Sequence, residues 1–430
     1  MVDAAASPRS PLDHLWMGNL PTESAIQSGD PMVLARGEGI YLWDMHGARY
    51  IDAIASLEAV AIGHGRSEIA DAVGRQYAQL EFYDTLRFTS EPTIKLANRL
   101  AELSPMPGSR VHFATSGSEA VEAALKIARQ FHLLNGEPLR TKIIGRRGGY
   151  HGCTVGAMAL DGNYYRTKRH FFDSVPDVGR FVPVPTTVDM IADLIEFERA
   201  ETVSAVVLDP MATASGVHES DDSFWRDLRV LCDERGILLI ADEVITAFGR
   251  TGRWFASARG GVAPDLITVS KALSSGYFPI SGVIARGSVS GVFEEQAAGL
   301  SHGHTFGGHP VAAAAALANL RIIEAEGLVE NAVTVGAHLR SGLESLLEST
   351  NLVADVRGEG LLYGVSLRDA LDARNNNELG PRVVRSLREH GVLTFVLHPG
   401  NVLLFCPPLT IRQDQVDDLV ERVGLAIRAV

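Results

Sequence analysis

Residues 237–244 read ILLIADEV, an apolar run of strand length that ends in two acidic residues. Similar apolar runs occur at residues 110–114, 203–208, 266–269 and 280–285. Amphipathic stretches such as residues 118–131 and 224–235 lie between several of these runs. Apolar strands that alternate with amphipathic helices are typical of βαβ units around a mostly parallel sheet. The sequence therefore predicts an α/β fold, whose ligands bind at the carboxyl ends of the strands.

The last quarter of the chain has a different pattern, which predicts a second and smaller domain. A helix is predicted over residues 329–347, and strand-like segments occur at 361–367 and 402–405. We expect residues 1–70 to form an arm and part of the small domain, residues 71–325 the large ligand-binding domain, and residues 326–430 the rest of the small domain.

Composition excludes several classes of protein. The formal net charge of −13 does not provide the basic surface that a nucleic-acid binder needs. Three cysteines are too few for a disulfide framework, and no run of 18 apolar residues predicts a membrane span. The first residues lack the apolar segment of a signal peptide, so we expect a cytoplasmic enzyme with no nucleic-acid or membrane partner.

Residues 115–120 (TSGSEA) follow a predicted strand and open a predicted helix. A glycine allows close approach of the backbone, and a helix N-terminus presents free N–H groups, so Ser116, Gly117 and Ser118 are candidates for holding a phosphate. The alternative is an ordinary helix cap, because serine and threonine are preferred there.

Asp242 stands at the end of the strand predicted over residues 237–241. A carboxylate in that position can pair with a protonated pyridine nitrogen, which makes the ring an electron sink. The alternative is a solvated acid in a loop. Burial of the preceding strand argues against it, because a buried carboxylate needs a partner for its charge.

Lys271 is one of only five lysines, against thirty-four arginines, and it lies between a predicted strand and a run of small residues. A lysine in an apolar site near another cation becomes a nucleophile for an aldehyde and later a base for a Cα proton. A lone lysine is usually structural, so the surrounding segments must support this assignment.

Residues 148–152 (GGYHG) place glycines on both sides of Tyr150 and His151. Flexible backbone with a flat ring suits stacking on a planar heterocycle, although a core tyrosine would have the same pattern. Residues 301–306 (SHGHTF) contain two histidines, but no acid or thiolate lies beside them in sequence, so we expect no metal site.

Together these segments resemble class III aminotransferases of the ω-transaminase and diaminopelargonate type. Residues 14–17 (HLWM) are similar to the family's entry motif, and residues 242–252 (DEVITAFGRTG) are similar to its most specific signature. The resemblance covers almost the whole chain. It implies fold type I, pyridoxal 5′-phosphate as cofactor, and a homodimer or tetramer with the active site at the subunit interface.

The resemblance also implies roles for individual residues. Lys271 would carry the cofactor as a Schiff base, and Asp242 would pair with its pyridine nitrogen. Val244 and Tyr150 would pack on the two faces of the ring. The other expected cofactor contacts are Ser116, Gly117, Ser118, His151 and Thr305, of which Thr305 would reach the phosphate from a second subunit.

Departures from the family pattern concern the substrate. Asp209 stands where many relatives have a glutamate, Leu397 where amine-transaminase relatives have a carboxylate-binding arginine, and Glu58 where relatives have an aromatic residue. We expect Glu58 either to face solvent or to meet a positive group of a cationic or neutral amine-bearing substrate. The expected substrate contacts are Trp16, Glu58, Tyr83, Tyr150, Asp209 and Leu397.

The predicted reaction moves an amino group from an amine or amino-acid donor to a ketone or aldehyde acceptor. The substrate would be a small molecule or a peptide, in the tailoring of a secondary metabolite or modified peptide. An isomerase, racemase or decarboxylase on the same fold is the alternative, because these enzymes share the cofactor residues.

Overall fold

A seven-stranded sheet forms the centre of the molecule. The computed structural model describes residues 14–16, 18, 32–162, 175–368, 379–397 and 401–430. In spatial order the strands are Arg110–Ala114, Ser281–Ala285, Leu266–Val269, Leu238–Asp242, Val203–Leu208, Lys142–Arg146 and Gly179–Val182. Only Ser281–Ala285 runs antiparallel to its neighbours. The prediction of a mostly parallel α/β sheet is confirmed.

Helices surround the sheet and pack on it or on one another through their apolar residues. The longer helices of this part of the chain are Ser67–Gln79, Glu91–Leu103, Gly117–Leu134, Val188–Glu198, Asp222–Arg235, Gly287–Glu295 and Pro310–Ala325. The four central strands Val203–Leu208, Leu238–Asp242, Leu266–Val269 and Ser281–Ala285 are buried along their whole length. Burial on both faces explains why these strands are continuous apolar runs rather than alternating ones.

Two four-stranded sheets contain the remaining segments. One contains Leu34–Glu38, Tyr41–Asp44, Arg49–Asp52 and Val392–Leu393, and the other contains Val353–Glu359, Leu362–Leu367, Val402–Phe405 and Val396–Leu397. The helices here are Leu328–Ser349, Leu379–Glu389 and Gln413–Arg428. Parallel pairing of Ile51 with Val392 joins the two ends of the chain in one sheet. The domain boundaries after residues 70 and 325 stay a prediction.

Predicted element boundaries differ from the structure by a few residues at most. Arg110–Ala114 and Leu266–Val269 coincide with the predicted strands, whereas the strand predicted over 237–241 covers Leu238–Asp242. Asp242 is therefore the last residue of its strand rather than the first after it. Within the described residues no helix is both long and apolar enough to cross a membrane.

Candidate active site

A cavity of about 420 Å³ opens at the carboxyl edge of the central sheet. The strands Leu238–Asp242 and Leu266–Val269 run parallel to each other, so the residues at their carboxyl ends meet at this edge. The lining residues that the sequence predicted are Ser116, Gly117, Ser118, Tyr150, His151, Asp209, Asp242, Val244 and Lys271. Five separate segments of the chain thus converge on one space.

Asp242 is buried and accepts hydrogen bonds from three directions. Thr268 Oγ1 donates to Oδ1 at 2.8 Å, the Val244 N–H donates to Oδ1 at 3.2 Å, and His151 Nδ1 lies 2.6 Å from Oδ2. Burial alone would raise the pKa of the carboxyl, but the hydrogen bonds from His151 and Thr268 hold this pKa below its ordinary value of 3.8. Asp242 is therefore a carboxylate aimed into the cavity.

His151 is the partner that satisfies the charge of Asp242. Burial lowers the pKa of the His151 imidazole, but the hydrogen bond and the charge of Asp242 outweigh burial, so this pKa lies above 6.5. The opposite His151 nitrogen, Nε2, is buried without a hydrogen-bond partner among the described residues. Sequence reasoning expected His151 to touch the cofactor and missed its contact with Asp242, which is 91 residues away.

Lys271 follows the strand Leu266–Val269 after a single residue and has a φ of +39°. Its Nζ forms an ion pair with the Glu58 carboxylate. The group that contacts the amine is therefore an anion. Glu58 does not face solvent, since its side chain is only 5% exposed and its partner in this chain is Lys271. Contact of Glu58 with a positive group of the substrate stays a prediction.

The phosphate candidates lie at the start of the helix Gly117–Leu134. Ser116 caps this helix by accepting a hydrogen bond from the Glu119 N–H at 3.2 Å, and Ser118 Oγ accepts one from the Cys153 N–H at 3.1 Å. A Cβ added to Gly117 would lie 3.1 Å from Val244 Cγ1. Glycine therefore lets this backbone lie close to Val244, beside helix N–H groups that can hold a phosphate.

Asp209 lines the cavity and pairs with a cation that sequence reasoning missed. Arg146 is buried, and its Nη1 donates to the Asp209 backbone oxygen at 2.7 Å and lies 3.2 Å from Oδ1. Its Nη2 donates to Ser220 Oγ at 2.9 Å. Asp209 thus has its own guanidinium partner inside the protein.

The other predicted substrate and cofactor residues are not among those that line the cavity of this single chain. Trp16 is 92% exposed, Tyr83 is 47% exposed, and Thr305 is exposed. Leu397 is buried in an apolar cluster with Met211 and Val402. Thr305 was expected to act on a second subunit, so its exposure here does not test that prediction.

The histidines of residues 301–306 contact each other edge to face, and they do not line the cavity. The His302 and His304 rings lie 4.6 Å apart, and His302 lies 5.5 Å from His112. Burial and the two neighbouring histidines lower the pKa of His112 to about 4. In the described residues no group of three or more histidines, cysteines or acids is arranged to hold a metal ion.

Comparison with known proteins decides the family. Residues 24–427 match the family described as aminotransferase class-III. The chain belongs to the class III aminotransferases. It is 37% identical to the probable aminotransferase Rv3329 of Mycobacterium tuberculosis, over 97% of this chain and 93% of that protein. The resemblance inferred from the sequence motifs is confirmed.

Solved structures agree with this assignment. A transaminase from the marine bacterium Virgibacillus superposes with a TM-score of 0.92 and 34% identity, over 97% of each chain. An amine transaminase from an uncultivated Pseudomonas species, solved with pyridoxal phosphate bound, has a TM-score of 0.89 and 32% identity over 97% of this chain and 98% of that one. This class III aminotransferase has fold type I and depends on pyridoxal 5′-phosphate.

The cavity fits that cofactor. Asp242 has the carboxylate that would pair with a pyridinium nitrogen, and the N-terminus of the helix Gly117–Leu134 has N–H donors that would hold a phosphate. Val244 and Tyr150 line the cavity as candidates for the two faces of a flat ring. Lys271 is the one lysine of the described chain that lines this space.

Proposed function

We propose that this aminotransferase transfers an amino group between a small-molecule amine donor and a ketone or aldehyde acceptor, with Lys271 as the lysine that carries the cofactor. One observation carries the proposal. The cavity places the Lys271 amine, the Asp242 carboxylate and the N-terminus of the helix Gly117–Leu134 around a single space.

The bound cofactor supplies an aldehyde for amine exchange and a pyridinium ring that accepts the electrons of a broken Cα–H bond. Lys271 Nζ holds and moves the proton between carbon atoms, as a general base in one direction and a general acid in the other. Asp242 keeps the ring nitrogen protonated, and His151 orients Asp242. Ser116, Gly117 and Ser118 bind the phosphate, with Thr305 of a second subunit.

The charges around the cavity favour a substrate without a carboxylate. Among the described residues, Lys271 is the only lysine or arginine that lines the cavity. Leu397, at the position of the expected arginine, lies in an apolar cluster. A buried substrate carboxylate would then have no cation of its own to pair with. The lack of a free cation among the lining residues described therefore supports an amine rather than an α-amino acid as the main donor.

The matched proteins favour transamination over isomerisation, racemisation or decarboxylation, since they are aminotransferases. Tailoring of a secondary metabolite or modified peptide stays a prediction, because no described contact identifies the acceptor.

Attachment of the cofactor tests the proposal directly. Borohydride reduction of the purified enzyme, followed by peptide mass spectrometry, should place the cofactor on Lys271, and Lys271→Ala should lose both the label and turnover. An amine donor should bleach the absorbance band of the lysine-bound cofactor in the parent enzyme. A label on Lys126 or Lys142 would refute the assignment.

A further inference from the structure

Glu58 is a buried acid that the reaction outlined above does not use. Its side chain is 5% exposed, and its carboxylate pairs with Lys271 Nζ, which is 22% exposed. In the part of the chain that the structure describes, no other cation forms an ion pair with Glu58. A buried carboxylate without a partner is costly, so the two residues depend on each other.

Glu58 reaches the amine from behind the cavity wall. Its neighbour Leu57 lines the cavity, but Glu58 does not. A substrate in the cavity would therefore meet the amine before the carboxylate. Asp209 and Asp242, the two acids that do line the cavity, are already paired with Arg146 and His151. Glu58 is thus the one carboxylate of the described site whose cation is the lysine.

The backbone that carries Glu58 is held in an unfavourable conformation. Four consecutive residues without a glycine, Ala55 to Glu58, have φ of +47°, +48°, +72° and +58°. Each left-handed residue of this kind costs roughly 1–2 kcal/mol, so surrounding contacts must hold the turn. Asp52 provides them, because its carboxylate accepts hydrogen bonds from the Ser56 N–H and Ser56 Oγ at 3.1 Å each.

Asp52 is itself held in place by a contact with His64. It is 1% exposed, and its Oδ2 lies 2.8 Å from His64 Nε2. The Cys406 N–H donates to the Ala53 oxygen next to Asp52 at 2.7 Å, and burial raises the pKa of the Cys406 thiol to about 12, so the thiol adds no charge. Strain that persists under such restraint is typical of a segment that positions a functional group.

We propose that Glu58 is a positioning residue that holds the Lys271 ammonium whenever this lysine is not bonded to the cofactor. The proposal rests on Lys271 being the cofactor-bearing lysine. During each half of a transamination the amine of that lysine is set free and must return. Glu58 Oε2 keeps the free amino group at the cavity wall, within reach of the substrate proton that it moves and of the cofactor to which it returns.

Glu58→Gln removes the charge while it keeps the shape of the side chain. The ion pair occupies the Lys271 amine, because Nζ contacts the Glu58 carboxylate directly. Without the carboxylate, this amine is no longer held in the pair and can attack a reagent. We expect acetylation of Lys271 by acetic anhydride at neutral pH, in the full-length chain stripped of cofactor, to accelerate by about tenfold in Glu58→Gln.

Labelling is followed by peptide mass spectrometry, with Lys126 as the internal reference. Glu58→Asp keeps the charge and should stay close to the parent. Glu91→Gln is the matched control, because Glu91 Oε1 contacts Lys95 Nζ at 2.6 Å in a pair that is exposed on both sides. Exposed pairs are worth little, so this variant should leave the Lys271 labelling unchanged.

Equal labelling of Lys271 in Glu58→Gln and the parent would overturn the proposal. Kinetics provide a second test. If Glu58 is a positioning residue, Glu58→Gln should lower kcat by the same factor for a cationic and an uncharged donor of similar size. A loss confined to the cationic donor would make Glu58 a substrate-binding group and would also refute it. Borohydride reduction of both proteins separates failure of the Glu58 proposal from failure of the proposed function. If Lys271 carries the cofactor, the reduced cofactor must still map to Lys271 in both proteins, whatever Glu58 does.

Discussion

Asp242 and His151 show how a single contact decides the charge of a buried residue. The Asp242 carboxylate is 6% exposed, and His151 is completely buried on its side chain. Alone, each would pay a large penalty for carrying charge in the interior. Their 2.6 Å contact keeps the pKa of the acid low and that of the imidazole high. The pair is therefore most favourable at pH values between these two pKa values.

Breaking this pair should destabilise the protein. His151→Asn leaves the Asp242 carboxylate buried without its cation, and we expect the free energy of unfolding of the cofactor-free chain to fall by roughly 3–5 kcal/mol. Denaturant unfolding at fixed protein concentration measures this free energy. The double variant His151→Asn with Asp242→Asn should lose less than the single variant, because it buries no charge. Additive losses would mean that the two residues are not coupled.

Among the secondary-structure elements, the ends of the helix Asp222–Arg235 determine where the following strand begins. The helix Asp222–Arg235 begins at the Asp221 cap, whose carboxylate accepts from the Phe224 N–H at 2.7 Å, and ends at Gly236 with a φ of +61°. The chain then enters the strand Leu238–Asp242 after one residue. This tight connection is what brings Asp242 to the cavity.

Gly236→Ala tests the importance of that helix end. An L-residue in the left-handed region costs roughly 1–2 kcal/mol, and the added Cβ would lie 3.1 Å from Arg140 Nη2, which donates to the Arg235 oxygen. Gly136→Ala is the control, because Gly136 has a φ of +76° but open space around its Cβ. Urea unfolding should show a larger loss for Gly236→Ala by about 1 kcal/mol. The same loss in both variants would show that the Arg140 contact is unimportant.

On the surface of the whole molecule, exposed apolar side chains lie near Thr305, the residue that is predicted to reach a second subunit. Exposed large apolar side chains close to Thr305 in sequence or in space are Tyr83, Leu86, Phe88 and Phe306. Clusters of this kind usually mark protein interfaces. They support the prediction that a second copy of the chain covers this face and delivers Thr305 to the partner's phosphate.

Mixed dimers test whether the site is shared. Thr305→Ala should weaken cofactor binding by about tenfold to a hundredfold, the effect of one lost hydrogen bond to a charged group. Lys271→Ala should abolish attachment. At a cofactor concentration too low to load Thr305→Ala, refolding the two variants together should restore activity, because one of the two sites in a mixed dimer then has both residues intact. Activity that fails to return, with dimers present by sedimentation, would place Thr305 on its own subunit's site.

Local patterns in the sequence predicted five of the seven strands of the central sheet and several of the residues that line the cavity, whereas the strands Lys142–Arg146 and Gly179–Val182 were not predicted. Strands such as Arg110–Ala114 and Leu266–Val269 coincide with their predicted bounds, because burial on both faces leaves a continuous apolar signature. Lys271, Asp242 and Gly117 could be predicted because each follows or ends such a strand. The parallel sheet then brings them to one edge by its geometry alone.

Only the tertiary structure decided which charges are paired. Glu58 and Lys271 are 213 residues apart, Asp242 and His151 are 91 apart, and Asp209 and Arg146 are 63 apart. No periodicity connects such positions, because these pairs form where separate turns and strand ends meet after folding. An acid placed next to the cavity lysine therefore looked in the sequence like a substrate-binding residue. In the folded chain it is a partner of the lysine itself.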